Sequence, residues 1–223
     1  RTLATVAGAV RAPFRVVDRS RLRVTRMTTD GTIFDFGDLH DLHLSLLGAY
    51  QPQNAATVLT AMEILSESAG MRIPEKAIRQ GLESVVWHAR FERLETDPQI
   101  FFDGAHNPQG IAAAAQSIQT YFPEEKVLIL TGVMADKDYD GMIEGLKAVT
   151  AQAYTVTPEN PRALPAEDYA GHFHAHGIAA TAYATVADAL RAARADAEAE
   201  GLPLVCLGSL YLYQDVLKGL GIP

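Results

Sequence analysis

The segment "QIFFDGAHNPQGIAAAAQSIQTYF", residues 99–122, followed by "KVLILTGV", residues 126–133, decides the fold. An apolar run ends in Asp103, passes through two small residues, His106 and Asn107, and enters an alanine-rich stretch behind Pro108. The residues after Pro108 carry a helical pattern, and the second apolar run has the uninterrupted character of a strand buried on both faces. Strand, helix, strand is the unit of a parallel sheet, and the rest of the chain repeats it.

"YDGMIEGLKAV", "AEDYAGHFHAHG", "VADALRAARADAEAE" and "SLYLYQDVLKGL" read as helices, separated by the strands "AQAYTVT", "IAATAYA" and "PLVCLG". This alternation from about residue 92 to the end predicts an α/β architecture, a Rossmann-like and mostly parallel sheet with helices on both faces. Residues 11–85 are different. "FRVVD", "LRVTRMTT", "TIFDF" and "LHLSLL" read as short strands of a half-exposed antiparallel sheet with one arginine-bearing face, formed from Arg15, Arg19, Arg21, Arg23 and Arg26. Two helices follow, over residues 52–69 and 73–85, with Pro52 in the first turn of one and Gly70 at its stop. A boundary is expected near residues 86–90.

In an open α/β sheet, ligands bind beyond the carboxyl ends of the strands. The segments to weigh are therefore Asp103–Asn107, then "TGVMADKDYD", "TPENPR" and "GSLY". For "DGAHNP" two readings stand equally. Asn107 can simply cap a helix, with His106 on the surface, or the helix start can receive an anion. Lys137 sits either in a solvated loop or near phosphates, its own positive charge balanced by its acidic neighbours. Arg162 is either a loop residue or a carboxylate or phosphate ligand. Ser209 is by default a helix cap, in a place a ligand could share. Arg90 lies in the hinge beside Trp87, Phe91 and Glu92, and could stack on an aromatic.

Composition narrows the classes. The 223 residues are 48% apolar, enough for one large or two modest domains. The net charge of −8 argues against general nucleic-acid binding. No run of ~18 apolar residues suggests a membrane span. The one cysteine, Cys206, reads as a small buried hydrophobe and fits a reducing compartment. His172, His174 and His176 are spaced by two and do not share one helix face, so no metal site is expected there. His40 and His43 read as structural. No GxxxxGKS/T, GxGxxG, CxxC or GxSxG occurs.

Several motifs resemble one family when taken in order. They are "LSLLGAYQPQNAATVLTAMEIL", "ARFERLETDPQIFFDGAHNPQG", "TGVMADKDYDGM", "TPENPRAL" and "GSLYL". As a set they resemble the folylpolyglutamate synthase and dihydrofolate synthase group of the Mur ligase superfamily, from about residue 42 to residue 215. The resemblance implies an ATP- and Mg²⁺-dependent ligase that makes an acyl phosphate of a pterin-linked carboxylate and joins it to L-glutamate. It implies residues 1–88 as the C-terminal part of a P-loop-type ATP-binding central domain, and residues 89–223 as the glutamate ligase domain. Asn54 would face the adenine, Arg90 the phosphates and Asp103 the ribose hydroxyls. His106 would lie near the transferred phosphate and the incoming glutamate, and Ser209 would help to bind glutamate. Lys137 and Arg162 match family loops without a firm role.

The implied partners are small molecules: ATP, L-glutamate and dihydropteroate or folate. Neither nucleic acid nor membrane is expected, and the protein is expected to be monomeric and cytoplasmic. Two departures stand out. The P-loop and metal ligands would lie upstream of Arg1, so the chain reads as a piece unable to turn over ATP alone. "WHARFE" also has His-Ala where the family usually has Pro-Gly before the arginine. The rival readings are a cell-wall amino-acid ligase and a non-catalytic binding module.

Overall fold

A computed structural model describes residues 2–12 and 14–223; Arg1 and Pro13 lie outside the described residues. The chain opens with helix α1 (Thr2–Ala9) and a short 3₁₀ turn, Arg19–Arg21. Strands β1 (Leu22–Thr28), β2 (Gly31–Phe36) and β3 (Leu39–Leu44) then form an antiparallel sheet in that order. Alternation is clearest in β2, where Phe34 and Phe36 face inward with Leu42 and Leu44 of β3. This face is covered by Ala55, Ala56 and Leu59 of α2 (Gln51–Ala69) and Leu82 of α3 (Glu75–Ser84). Gly70, left-handed at φ 63°, closes α2, and Pro52 lies in its first turn, as the sequence predicts.

"FRVVD" is not a strand. The Asp18 carboxylate accepts the N–H of Ser20 at 3.0 Å and turns the chain into the 3₁₀ segment, a local bond that competes with strand pairing. Arg15, Arg19 and Arg21 consequently precede the sheet rather than line it. Arg15 and Arg21 pair with Glu67 and Glu63 of α2, and the Arg21 guanidinium also lies 4.5 Å above the Phe36 ring.

The second sheet has the order β4-β5-β9-β6-β7-β8. Its members are β4 (Glu92–Thr96), β5 (Gln99–Phe102), β6 (Val127–Thr131), β7 (Thr150–Thr155), β8 (Ala179–Ala182) and β9 (Leu204–Leu207). Only the β4–β5 pair is antiparallel. Between them run α4 (Pro108–Tyr121), α5 (Tyr139–Leu146), α6 (Ala166–Ala175) and α7 (Val186–Glu200), and α8 (Tyr213–Leu220) follows β9 through a 3₁₀ turn, Leu210–Leu212.

Handedness places the helices. The connections from β5 through β8 step across the sheet in one direction, so right-handed crossovers put α4, α5 and α6 on one face. The chain then reverses, and α7 lands on the other face as β9 inserts between β5 and β6. The packing follows this rule. Phe101, Ile129 and Val205 meet Ile118 of α4, Ile143 of α5 and Phe173 of α6. Their strand neighbours Ile100, Phe102, Leu128 and Cys206 meet Leu190 of α7 and Val216 of α8 on the opposite face. Cys206 is fully buried, as read from its apolar run.

The reversal brings the carboxyl ends of β5, β9 and β6 side by side. Gly208, just beyond β9, donates its N–H to the Ala105 carbonyl at 2.8 Å. Its φ of +104° lies in the region glycine favours, and a Cβ there would sit 2.5 Å from Thr131 Oγ1. Among the described residues, no helix is long and apolar enough to cross a membrane.

Candidate active site

Asp103 follows β5 directly and is 5% exposed. Its Oδ1 accepts the N–H of Ala105 at 2.8 Å, and its Oδ2 accepts the N–H of Phe91 at 2.9 Å and the Tyr50 hydroxyl at 3.2 Å. Burial pushes this carboxyl above its ordinary range, against the pull of those three donors and the nearby Arg90 charge. The same buried, anionic surroundings push the Tyr50 phenol up.

Arg90 lies between two residues with left-handed backbone, Ala89 at φ 57° and Phe91 at φ 49°. The fold holds both by hydrogen bonds. The Ala89 N–H donates to Glu92 Oε2 at 2.7 Å, the Ala89 carbonyl accepts the Gly104 N–H at 2.9 Å, and Phe91 is tied to Asp103. The Arg90 guanidinium donates to the Ala89 carbonyl at 3.0 Å. Among the described residues, the cation stacked on an aromatic ring is Arg21, not Arg90.

His106 is exposed, and its Nδ1 lies 2.8 Å from the Gly104 carbonyl oxygen. A carbonyl only accepts, so Nδ1 carries the proton of this bond, and Nε2 is left as the ring's other hydrogen-bonding atom. Asn107 caps α4, its Oδ1 accepting the Gly110 N–H at 2.8 Å, and Pro108 fills the first helical position. The helix-cap reading of Asn107 therefore holds without excluding an anion near the remaining amides.

Tyr50, Arg90, Asp103 and His106 line one cavity of about 230 Å³. The sequence points to three of these four. Tyr50 is missed, because its partner Asp103 is 53 residues away and nothing local marks the pair. Asn54 is set apart from Asp103 and His106. It lines a neighbouring apolar groove of about 530 Å³ with Leu59, Ile78 and Trp87, and Tyr50 and Arg90 border both spaces. Asn54 donates to Gln51 Oε1 at 2.9 Å.

Ser209 is buried and caps the 3₁₀ turn after β9, accepting the N–H of Tyr211 at 3.2 Å. The next residue, Leu210, packs against the DGAHNP loop so closely that a Cβ on Gly104 would lie 2.6 Å from it. Lys137 and Arg162 do not line the cavity. Their loops are tied together by the Ala135 N–H to the Arg162 carbonyl at 2.8 Å, and Arg162 pairs with Asp136 at 3.4 Å on the surface.

His172 and His176 share a helix face, four residues apart, and both reach Asp140 of α5, at 2.9 Å and 3.2 Å. Among the described residues, no group of three or more His, Cys, Asp or Glu side chains could hold a metal ion.

Residues 89–210 match the family described as Mur ligase, glutamate ligase domain. The chain is 34% identical to the folylpolyglutamate synthase of Lacticaseibacillus casei over 82% of its own length and 41% of that protein's. It is 35% identical to the dihydrofolate synthase/folylpolyglutamate synthase of Escherichia coli over 82% of its length and 40% of that protein's. A crystal structure of Mycobacterium tuberculosis folylpolyglutamate synthase, complexed with ADP and AMPPCP, superposes with a TM-score of 0.86 at 26% identity, over 99% of this chain and 52% of that one. The chain thus spans about two-fifths of the length of the curated relatives it matches.

Proposed function

This chain belongs to the Mur ligase family through its glutamate ligase domain, and from that premise we propose that it is the ATP- and glutamate-side half of a ligase that adds L-glutamate to dihydropteroate or to folates. The observation that carries the reading is the meeting of Arg90, Asp103 and His106 around one cavity at the carboxyl end of β5. Residues 89–223 act as the glutamate ligase domain, and residues 1–88 as the end of an ATP-binding central domain.

The cavity suits a nucleotide. Its apolar neighbour, where Asn54 lies, offers a surface for a base, and the buried Asp103 carboxylate is an acceptor for ribose hydroxyls. Arg90 supplies a positive charge beside the same space, and the start of α4 adds main-chain donors. In the reaction, a substrate carboxylate takes the terminal phosphoryl group of ATP, giving ADP and an acyl phosphate. The amine of glutamate attacks the acyl carbon, and phosphate leaves as the amide forms. The protein's part is to neutralise charge and bring the amine close. His106 Nε2 serves the transferred phosphate or the incoming glutamate, and Ser209 supports glutamate from the adjacent loop. The reading gives the Mg²⁺ of this chemistry no ligand among the described residues.

Relatives at 34% and 35% identity over four-fifths of the chain support the folate class over a cell-wall amino-acid ligase. A binding module without catalysis is the other rival. The test is to translate the reading frame upstream of Arg1 and assay the whole product for ADP release dependent on dihydropteroate and glutamate. A P-loop upstream and glutamate-dependent turnover support the ligase; their absence from the whole product sinks it. The 223-residue chain by itself is expected to release no ADP.

A further inference from the structure

We infer that Tyr50 is a positioning residue for Asp103, fixing which carboxylate oxygen a ligand's hydroxyl can reach. An ionised carboxylate offers about four lone-pair directions, two on each oxygen. On Asp103, Oδ2 takes both the Tyr50 hydroxyl at 3.2 Å and the Phe91 N–H at 2.9 Å, so its capacity is filled. Oδ1 takes only the Ala105 N–H, at 2.8 Å. One acceptor direction remains, on Oδ1, and Asp103 lines the cavity shared with Arg90 and His106.

The Phe91 and Ala105 bonds come from the main chain near Asp103 itself. The Tyr50 bond comes from the residue that opens α2, on the other side of the hinge. It is therefore a side-chain bond through which the first part of the chain orients a group in the second, as the Asp30 carboxylate also does for Arg93 at 3.1 Å. Without the hydroxyl, the carboxylate loses one of three fixing bonds, and Oδ2 competes for the hydroxyl that Oδ1 would otherwise receive. Bonds to charged acceptors are the stronger class, so this loss is large enough to register in binding.

The inference rests on the proposed nucleotide site, with ribose as the hydroxyl-bearing ligand. The experiment titrates the whole product of the reading frame that contains these 223 residues, as wild type and as the Tyr50→Phe variant, with ATP and with 2′,3′-dideoxy-ATP, following binding by calorimetry. The wild type is expected to bind ATP more tightly than the dideoxy analogue. Tyr50→Phe is expected to weaken ATP about tenfold and to leave the dideoxy analogue unchanged. Equal weakening of both nucleotides would assign Tyr50 a structural role and overturn the inference, as would no change in either. If the wild type binds neither, or does not distinguish them, the nucleotide reading itself fails and the inference falls with it.

Discussion

The Asp103 carboxylate accepts the main-chain N–H of Phe91 at 2.9 Å, and Phe91 is one of the two left-handed residues that bracket Arg90. A non-glycine residue in that conformation costs ~1–2 kcal/mol, so the bond helps to hold a strained turn in place. Asp103 also satisfies the buried Ala105 N–H and the part-buried Tyr50 hydroxyl, and truncation strands both donors. Asp103→Ala is expected to lose ~2–4 kcal/mol of stability in urea unfolding. A loss under ~1 kcal/mol would mean that the carboxylate does not organise the turn. In the proposed whole ligase the same change is expected to raise the KM for ATP, and an unchanged KM would remove Asp103 from nucleotide contact.

The protonation of Asp103 gives a second check. Burial raises its pKa above the ordinary 3.8, so the proton favours the folded state. The group's contribution to stability is therefore complete below 3.8 and is lost as pH rises through the folded-state value. The stability gap between wild type and Asp103→Ala should narrow over that rise. A carboxyl ¹³C titration of Asp103 with a midpoint at or below 3.8 would contradict the picture.

Two glycines should respond to alanine with opposite signs. At Gly208, with φ +104°, the added Cβ meets Thr131 Oγ1 at 2.5 Å and the Gly132 carbonyl oxygen at 2.8 Å. Gly208→Ala is expected to cost ~3 kcal/mol or more and to loosen the junction of β5, β9 and β6. Gly171, inside α6, is exposed and has nothing within 4 Å of such a Cβ. Gly171→Ala is expected to add ~0.5–1 kcal/mol from helix propensity. Thermal melts of the two variants read both signs.

Asn107 should behave as a cap. Asn107→Ala removes the acceptor of the Gly110 N–H and is expected to lower stability by ~1 kcal/mol, while Asn107→Asp keeps it. Equal stability of Asn107→Ala and wild type in thermal unfolding would show that the side chain is not holding the helix start.

The second sheet was legible because its inner strands are buried on both faces. "KVLIL" and "PLVCL" are uninterrupted apolar runs, and the helices between them keep an apolar stripe. β4 was not legible. "ERLET" is a partly exposed edge strand paired on one side, and its charged residues hide the pattern. α1 is not legible either, since "TLATVAGA" is apolar without a clear helical period. At the site, Asp103 and His106 announce themselves by residue type just beyond a strand end, whereas Arg90 is marked only by the family resemblance of its segment. Tyr50 does not announce itself, because its contact with Asp103 spans 53 residues and nothing local marks the pair. The His-Ala departure before Arg90 also acquires a physical meaning. Ala89 takes φ 57°, where glycine would sit without strain.

The central claim is that the cavity bounded by Tyr50, Arg90, Asp103 and His106 receives a nucleotide. The most direct test is an amide NMR titration with ADP of the whole product of the reading frame, read at these 223 residues. Shifts are predicted at Tyr50, Arg90 and Asp103–Asn107. No shift at saturating ADP, or shifts confined to the loops of Lys137 and Arg162, would contradict the claim.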